Sequence, residues 1–168
     1  RVLFYCAPVG CSPQFDAALA AMGRHACAAS GLPVSSTTLL VVGHGNANLA
    51  TASQTLRRHT EAVAATGEFA AVRTAFIEEV PLIGEVLAEL MDRDVIAIGA
   101  LAGLGHHALD DIPDAVTAEK ARRGPGGPFL AYAGIVGSDP SMADLILDRV
   151  EAFEDRPSDS GHGRGWPH

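Results

Sequence analysis

Hydrophobic positions are grouped into short runs along most of the chain. From Thr37 onward these runs alternate with longer amphipathic or alanine-rich stretches. Such alternation is typical of βαβ units around a parallel sheet whose strands are buried on both faces. We therefore predict an α/β fold, a three-layer sandwich with a central parallel sheet. Its strands are predicted at Thr38–Val42, Ala71–Phe76, Val95–Leu101 and Phe129–Ala133.

The longer stretches between these runs are predicted to be helices. Two of the helices have start signals, because Asp111-Ile112-Pro113 and Asp139-Pro140 each combine an acidic capping residue with a proline suited to a first turn. The predicted helices are Ala47–Ala65, Leu82–Met91, Ile112–Arg123 and Ser141–Phe153.

The segment before Thr37 resembles a later part of the chain. VLFYCAPVGCSPQFDAAL matches FLAYAGIVGSDPSMADLI at a constant offset of 127 residues, which pairs Tyr5 with Tyr132 and Gly10 with Gly137. We interpret residues 1–36 as the strand, turn and helix that end a truncated preceding repeat, the alternative being chance similarity between two such units. Residues 37–154 then form the main domain. Residues 155–168, rich in Pro, Gly and Ser, are expected to be a flexible tail.

Composition narrows the class of protein. A formal charge of -8, with Lys120 as the only lysine, argues against a nucleic-acid-binding surface. No apolar run reaches the roughly 18 residues of a membrane span. The three cysteines have no C-x-x-C spacing, which favours a reducing cytoplasm over a disulfide framework. Nucleophile-elbow, P-loop and dinucleotide-binding motifs are also missing from the sequence.

One histidine lies directly after a predicted strand. VVGHGNAN places His44 between two glycines at the carboxyl end of the sheet, where open α/β folds bind ligands. A tight turn with a hydrogen-bonded histidine would explain the same pattern. Backbone N–H groups of the Gly43–Asn46 turn could also hold a carboxylate. His25 and His59 are interpreted as residues on helix surfaces.

Two further strand ends carry chemically useful side chains. GHHALDDIP follows the third strand, and in extended backbone only one of His106 and His107 would face His44. AFIEEVP ends the second strand with Glu78 and Glu79, one of which would face inward unless it caps the next helix. Two imidazoles and a carboxylate converging from three strand ends suit a borderline divalent metal such as Co²⁺, Ni²⁺, Fe²⁺ or Zn²⁺.

The order of these motifs resembles the class II sirohydrochlorin chelatases of the CbiX type over about residues 37–150. A histidine followed four positions later by Asp-Ile-Pro is the most specific element, and it selects His107. The other matching segments are LLVVGHGNAN, AFIEEVPLIGEVLAEL and YAGIVGSDPSMADLILDRV. The resemblance implies a chelatase-like sheet with flavodoxin-like strand order. It also implies insertion of a divalent metal into sirohydrochlorin or a related tetrapyrrole without ATP, in cobalamin or siroheme biosynthesis.

The resemblance also assigns roles to residues. His44, His107 and Glu78 are expected to bind the metal and to carry the reaction, with cobalt favoured and iron or nickel as alternatives. The metal is a substrate, and no organic cofactor is expected. Residues expected to contact the tetrapyrrole are Gly43, Gly45, Asn46 and Leu104. Judged from the residues alone, Arg57, Arg58 and Arg73 could bind its carboxylates, but for Arg57 and Arg58 a place on a solvated helix face is the favoured interpretation.

Three features depart from the family pattern. Asn46-Ala47 stands where the family usually has Ser-Arg, and His106 is an additional histidine. The spacing from Glu78 to Pro81 is one residue shorter than in the family pattern. This short spacing leaves open whether Glu78 or Glu79 matches the acidic residue of the family. Longer family members resemble two fused copies, so we expect a homodimer or association with a missing amino-terminal repeat. Alternative functions are a non-catalytic metal carrier or sensor and an inactive structural repeat.

Overall fold

The computed structural model of this protein describes residues 7–46 and 50–154. Four parallel strands form one central sheet in the order β2-β1-β3-β4. The predicted α/β fold and its flavodoxin-like order, with the first strand between the second and third, are confirmed. The strands are β1 (Thr38–Gly43), β2 (Ala71–Phe76), β3 (Val95–Gly99) and β4 (Leu130–Ile135).

Helices connect the strands and cover both faces of the sheet. Their bounds are close to the predicted ones, although the helix after β2 is a turn shorter than expected because the chain leaves helical geometry at Leu90. The part of the chain that the structure describes has no helix long and apolar enough to span a membrane. The helices are α1 (Phe15–Ser30), α2 (Ala50–Ala65), α3 (Ile83–Glu89), α4 (Ile112–Arg123) and α5 (Ser141–Glu154).

The core consists of two layers, one on each face of the sheet. Because successive side chains of a strand point to opposite faces, Leu39 and Val41 of β1 pack with α1 and α2, whereas Leu40 and Val42 pack with α3 and α4. All six residues of β1 are buried, as expected for the central strand of a parallel sheet. The sheet is therefore a rigid support for the loops at its carboxyl edge.

The segment before β1 belongs to this core. Leu19, Met22 and Cys27 of α1 are buried with the β1 and β3 side chains of the first layer. Single 3-10 turns occur at Val9–Cys11 and at Val136–Ser138, separated by the same 127 positions that relate the two similar sequences. The strand predicted within residues 1–6 and the tail predicted at residues 155–168 lie outside the described residues.

Candidate metal centre

Three polar side chains meet at the carboxyl edge of the sheet. His44 follows β1, Glu78 lies two residues after β2, and His107 begins the turn after β3. Their ligand atoms all lie within 4.8 Å of one another. The two imidazole rings are nearly perpendicular, with centroids 4.6 Å apart, and Nδ1 of His44 is 3.9 Å from Oε2 of Glu78. The structure thus brings together the three residues that the sequence proposed as ligands.

Main-chain geometry holds two of these residues together. The N–H of Glu78 donates to the carbonyl of His44 at 2.9 Å. Gly45 has a φ of +77°, and a Cβ at this position would lie 2.7 Å from Cβ of Glu79. Only glycine fits this left-handed, crowded position, so the sequence Gly-His-Gly is a requirement of the turn that presents His44.

Both imidazoles are oriented by hydrogen bonds at Nδ1. Nδ1 of His44 donates to the carbonyl of Gly45 at 2.6 Å, and Nδ1 of His107 donates to Oδ2 of Asp111 at 2.5 Å. Carbonyl and carboxylate oxygens only accept, so each neutral ring carries its proton on Nδ1. Each Nε2 is left with a lone pair, which is the arrangement found in metal-ligating histidines.

The sequence analysis considered the two histidines after β3 in extended backbone. In the structure their backbone is helical. His106 has helical dihedrals (φ −49°, ψ −45°), and His107–Asp111 form a π-helical turn that leads into α4. Helical geometry turns His107 toward His44, while Nδ1 of the exposed His106 lies 2.8 Å from Asp110. His107 therefore faces the cluster because of the turn and not because of strand alternation.

The expected acidic cap at Asp111 is wrong. Asp111 is itself helical (φ −61°, ψ −46°), and its carboxylate makes no capping hydrogen bond. A capping residue normally has non-helical dihedrals that direct its side chain to the first-turn N–H groups. Asp111 supports His107 instead, a role that its position four residues later on the same helical face could have suggested.

Glu79 is turned away from the metal cluster. Its carboxylate accepts hydrogen bonds from the hydroxyl of Ser53 and from the N–H of Asn46, the latter at 3.1 Å, and it lies 3.9 Å from Arg57. The Ser53 hydrogen bond, followed by that of Asn46, lowers the pKa of Glu79. Because Glu79 occupies the Asn46 N–H, this donor is not available for the ligand carboxylate that the sequence suggested.

The first turn of α3 is capped from within the helix. Glu85 accepts the N–H of Leu82 at 2.8 Å. The suggestion that Glu78 or Glu79 caps this helix is therefore wrong. Glu78 is thus part of the metal cluster. Glu79 and its hydrogen bonds to Ser53 and Asn46 form a clamp between the β2 loop and α2.

An apolar cavity of about 550 Å³ opens beside His44. Its lining includes Gly43, Gly45 and Asn46, three of the residues predicted to contact a tetrapyrrole. Leu104, the fourth, lies instead at a separate cavity between α1 and β4. The first cavity has the size of a small-molecule site, and its apolar wall suits a flat ring system.

His59 is a cavity residue that the sequence reasoning placed on a helix surface. Its Nε2 donates to the carbonyl of Gly10 at 3.0 Å, and its ring lies 5.2 Å from that of Phe15. It also lines the cavity beside His44. The sequence contained one indication of this inward position. His59 lies three residues after Leu56, which is buried, and residues three apart share one face of a helix.

The arginines proposed as carboxylate contacts differ in position. The Arg57 guanidinium lies over the Phe76 ring, 4.8 Å from its centroid, and donates to the carbonyl of Val80 at 3.1 Å. Arg73 is paired with Glu89 at 2.5 Å, away from the cavity. Arg57 is thus fixed next to the cavity wall, whereas Arg73 belongs to the packing of β2 against α3.

The CbiX family model matches residues 38–153, the segment that holds all three members of the cluster. The chain belongs to the CbiX family. Among curated relatives, a probable sirohydrochlorin cobaltochelatase of Halobacterium salinarum is 26% identical over 159 residues, which cover 89% of this chain and 53% of the relative.

Solved CbiX-like structures share the fold. A CbiX described as the terminal enzyme for biosynthesis of siroheme in denitrifying bacteria is 27% identical, with a TM-score of 0.73, over 88% of this chain and 61% of its own. SirB from Bacillus subtilis with Fe³⁺ is 18% identical, with a TM-score of 0.75, over 90% of this chain and 57% of its own. This chain therefore spans little more than half the length of these relatives.

Proposed function

We propose that this CbiX chain supplies the metal-insertion site of an ATP-independent chelatase acting on sirohydrochlorin or a related reduced tetrapyrrole. The observation that carries the proposal is the cluster of His44, Glu78 and His107 next to an apolar cavity, with both imidazoles held by Nδ1 so that the lone pair is on Nε2. Membership of the CbiX family supports the proposal, as does the similarity to the halobacterial protein, a probable sirohydrochlorin cobaltochelatase.

The cluster suits an ion that must be released. Ligand atoms around a tetrahedral ion with bonds of about 2.1 Å lie ~3.4 Å apart. The separations of up to 4.8 Å in the cluster mean that the three groups must contract to hold an ion together. His44 and Glu78 are also about half exposed, which gives a hydrated ion direct access. An open site of three ligands leaves coordination positions for nitrogens of the macrocycle.

The two histidines can serve both metal delivery and proton removal. Insertion of M²⁺ into the macrocycle releases two pyrrole protons, and an imidazole can bind a metal or a proton but not both at once. As each Nε2 passes its coordination position to a macrocycle nitrogen, its lone pair becomes free to accept a proton. The charge of the site falls by two when M²⁺ leaves it and rises by two when the imidazoles accept the two pyrrole protons.

Nitrogen and carboxylate ligands bind cobalt, iron and nickel in an order set largely by the metals themselves. We propose cobalt as the preferred substrate, following the halobacterial relative, which is described as a cobaltochelatase. The cavity beside His44 takes the apolar face of the ring in this proposal. Arg57, fixed over Phe76, is the nearest cation for a peripheral carboxylate.

The test is anaerobic metallation of sirohydrochlorin by Co²⁺, followed by absorbance and compared with the uncatalysed rate. The wild-type chain should accelerate metallation, and His44→Ala and His107→Ala should each lower the rate about 100-fold or more. His106→Ala is the matched control, because His106 is adjacent but exposed and paired with Asp110. Its rate should stay close to the wild-type rate.

Cobalt binding by the same variants separates the alternatives. A chain that binds Co²⁺ through both histidines but leaves the metallation rate at its uncatalysed value would be a carrier or sensor. A chain that neither binds Co²⁺ nor accelerates the reaction would be a structural repeat. Either result would contradict the proposed chelatase function.

A further inference from the structure

The cavity beside His44 contains a second imidazole that the metal centre does not use. His59 of α2 lines this cavity together with His44. The side chains that can hold a metal are His44, Glu78 and His107, and His59 is not a member of this group. His59 is therefore a side chain of the cavity wall to which metal binding assigns no role.

One ring nitrogen of His59 is committed to the main chain. Its Nε2 lies 3.0 Å from the carbonyl oxygen of Gly10. Because a carbonyl oxygen only accepts hydrogen bonds, Nε2 carries a proton in both the neutral and the charged ring. The ring also lies against that of Phe15, with centroids 5.2 Å apart and an interplanar angle of 59°. The imidazole is thus held in place, and Nδ1 is the nitrogen that remains for a ligand.

The wall of this cavity offers little charge. Among the described residues that line it there is no arginine, lysine, aspartate or glutamate. The titratable side chains are His59, His44 from the end of β1 and Cys11 from the turn before α1, whereas α1 itself contributes Phe15. His44 belongs to the metal cluster, and a thiol does not become a cation. Of the described lining residues outside the cluster, His59 is thus the one that can become a cation.

A tetrapyrrole of the proposed substrate class has carboxylates around the edge of its apolar ring. A carboxylate that enters an apolar cavity loses its hydration, and this loss is costly unless a charged or hydrogen-bonding partner replaces the water. Arg57 is not among the lining residues, and its guanidinium lies over the Phe76 ring and donates to the carbonyl of Val80. An imidazole in the wall can be the missing partner, since it takes up a proton near neutral pH.

We propose that Nδ1 of His59 donates a charge-assisted hydrogen bond to a peripheral carboxylate of the tetrapyrrole that occupies the cavity beside His44. The ring takes up one proton at Nδ1 from solvent when the carboxylate binds, while Nε2–H continues to donate to the carbonyl of Gly10. Hydrogen bonds between charged groups are roughly twice as strong as those between neutral groups, so His59 selects tetrapyrroles with acidic substituents. This inference rests on the proposed function and adds a substrate-binding residue outside the metal cluster.

Two substitutions separate this role from a purely structural one. His59→Gln places an amide nitrogen near the position of Nε2, so it keeps a donor for the carbonyl of Gly10 but has no group in place of Nδ1. His59→Asn places its amide near the position of Nδ1, so it keeps a donor for the carboxylate but does not reach Gly10. His25→Gln is the matched control, because His25 is an exposed histidine of α1 that lines the separate cavity between α1 and β4.

Steady-state metallation by Co²⁺ at increasing concentrations of sirohydrochlorin measures the effect. His59→Gln should raise the KM for sirohydrochlorin about 10-fold and leave kcat close to the wild-type value, because it removes an interaction made equally in the ground state and the transition state. His59→Asn should have a KM closer to the wild-type value but a lower melting temperature. His25→Gln should change neither quantity. All three variants should bind Co²⁺ as the wild type does, since neither histidine belongs to the metal cluster.

Calorimetry of the binding of metal-free sirohydrochlorin, in two buffers of different ionisation enthalpy near neutral pH, counts the protons taken up. The wild type and His25→Gln should take up more protons per bound macrocycle than His59→Gln. This measurement does not require metallation, so it tests His59 separately from the reaction. Proton uptake that depends on His59, together with an uncatalysed metallation rate, would support the role of His59 and contradict the proposed chelatase function.

Three results would overturn the inference. The first is a His59→Gln chain whose KM and proton uptake equal those of the wild type while His59→Asn is destabilised, which would mean that His59 only supports Gly10. Another is a loss of Co²⁺ affinity in His59→Gln, which would mean that the residue acts through the metal cluster. The third is a wild-type chain that does not bind sirohydrochlorin, which would contradict the proposed function as well.

Discussion

At the scale of single residues, the metal centre depends on groups that do not touch the metal. Asp111 and the Gly45 carbonyl each hold an imidazole by Nδ1, which fixes the orientation of both rings and leaves the lone pair on Nε2. A supporting carboxylate of this kind fixes the tautomer and the ring orientation and increases the basicity of the ligand. The affinity for metal should therefore respond to Asp111 although this residue is outside the cluster.

Asp111→Asn should weaken Co²⁺ binding by about 10- to 100-fold, the usual effect of removing such a support. The amide keeps the size of the side chain but no longer provides an anionic acceptor for Nδ1 of His107. Titration with Co²⁺, followed by its visible absorbance, measures the effect.

Asp110→Asn is the matched control, because Asp110 lies 2.8 Å from His106 in an otherwise similar pair. It should leave the affinity for Co²⁺ unchanged. Equal weakening by the two substitutions would mean that local acidity, and not support of His107, determines metal affinity.

At the scale of elements, the loops at the carboxyl edge are joined to one another before any ligand binds. Glu79 connects the β2 loop to the turn after β1 and to the first turns of α2, through Asn46 and Ser53. This clamp fixes the turn that presents His44. Because its partners donate to the ionised form, the clamp should weaken when Glu79 is protonated.

The lowered pKa of Glu79 gives this clamp a defined pH dependence. Its stabilising effect is fully present above the ordinary glutamate pKa of about 4.3 and is lost as pH falls through the lower pKa of the folded state. Glu79→Gln should therefore lower the melting temperature by a few degrees at neutral pH, and the gap to wild type should close in acid.

Thermal unfolding at several pH values measures this gap. Glu78→Gln is the companion variant, because Glu78 is the neighbouring carboxylate and belongs to the metal cluster. It should weaken Co²⁺ binding and leave neutral-pH stability nearly unchanged. A gap for Glu79→Gln that is independent of pH would show that packing, and not charge, holds the loops together.

The same elements show what the sequence could and could not predict. The buried strands followed from apolar runs, whereas their order followed only from the family resemblance. His44 followed from a strand end, and His107 from the motif that the resemblance supplied. The distinction between Glu78 and Glu79 did not follow, because it depends on the path of the loop that pairs Glu78 with the His44 carbonyl. The role of Asp111 was hidden for a similar reason, since its sequence context is that of a helix cap.

At the scale of the whole molecule, stability and chemistry lie at opposite edges of the sheet. The exposed metal cluster and the cavity lie at the carboxyl edge. At the amino edge, Arg123 donates hydrogen bonds to the carbonyls of Leu90 and Arg93, at 2.8 Å each. Glu119 lies 3.5 Å from Nε of Arg123, and both side chains are almost fully buried. This buried pair ties the end of α4 to the turns before β3 and β4.

Removing one partner of a buried ion pair leaves the other charge without compensation, so Glu119→Ala should lower the free energy of unfolding by about 3–5 kcal/mol. Arg122→Ala removes only the exposed partner of Glu119 and should cost less than about 1 kcal/mol. Because the amino edge is remote from the cluster, the Co²⁺ affinity of folded Glu119→Ala should equal that of wild type. Asp111→Asn, in contrast, should lower this affinity. Urea unfolding and Co²⁺ titration of the same preparations measure both quantities, and a Glu119→Ala chain with weakened cobalt binding would show that the two edges are coupled.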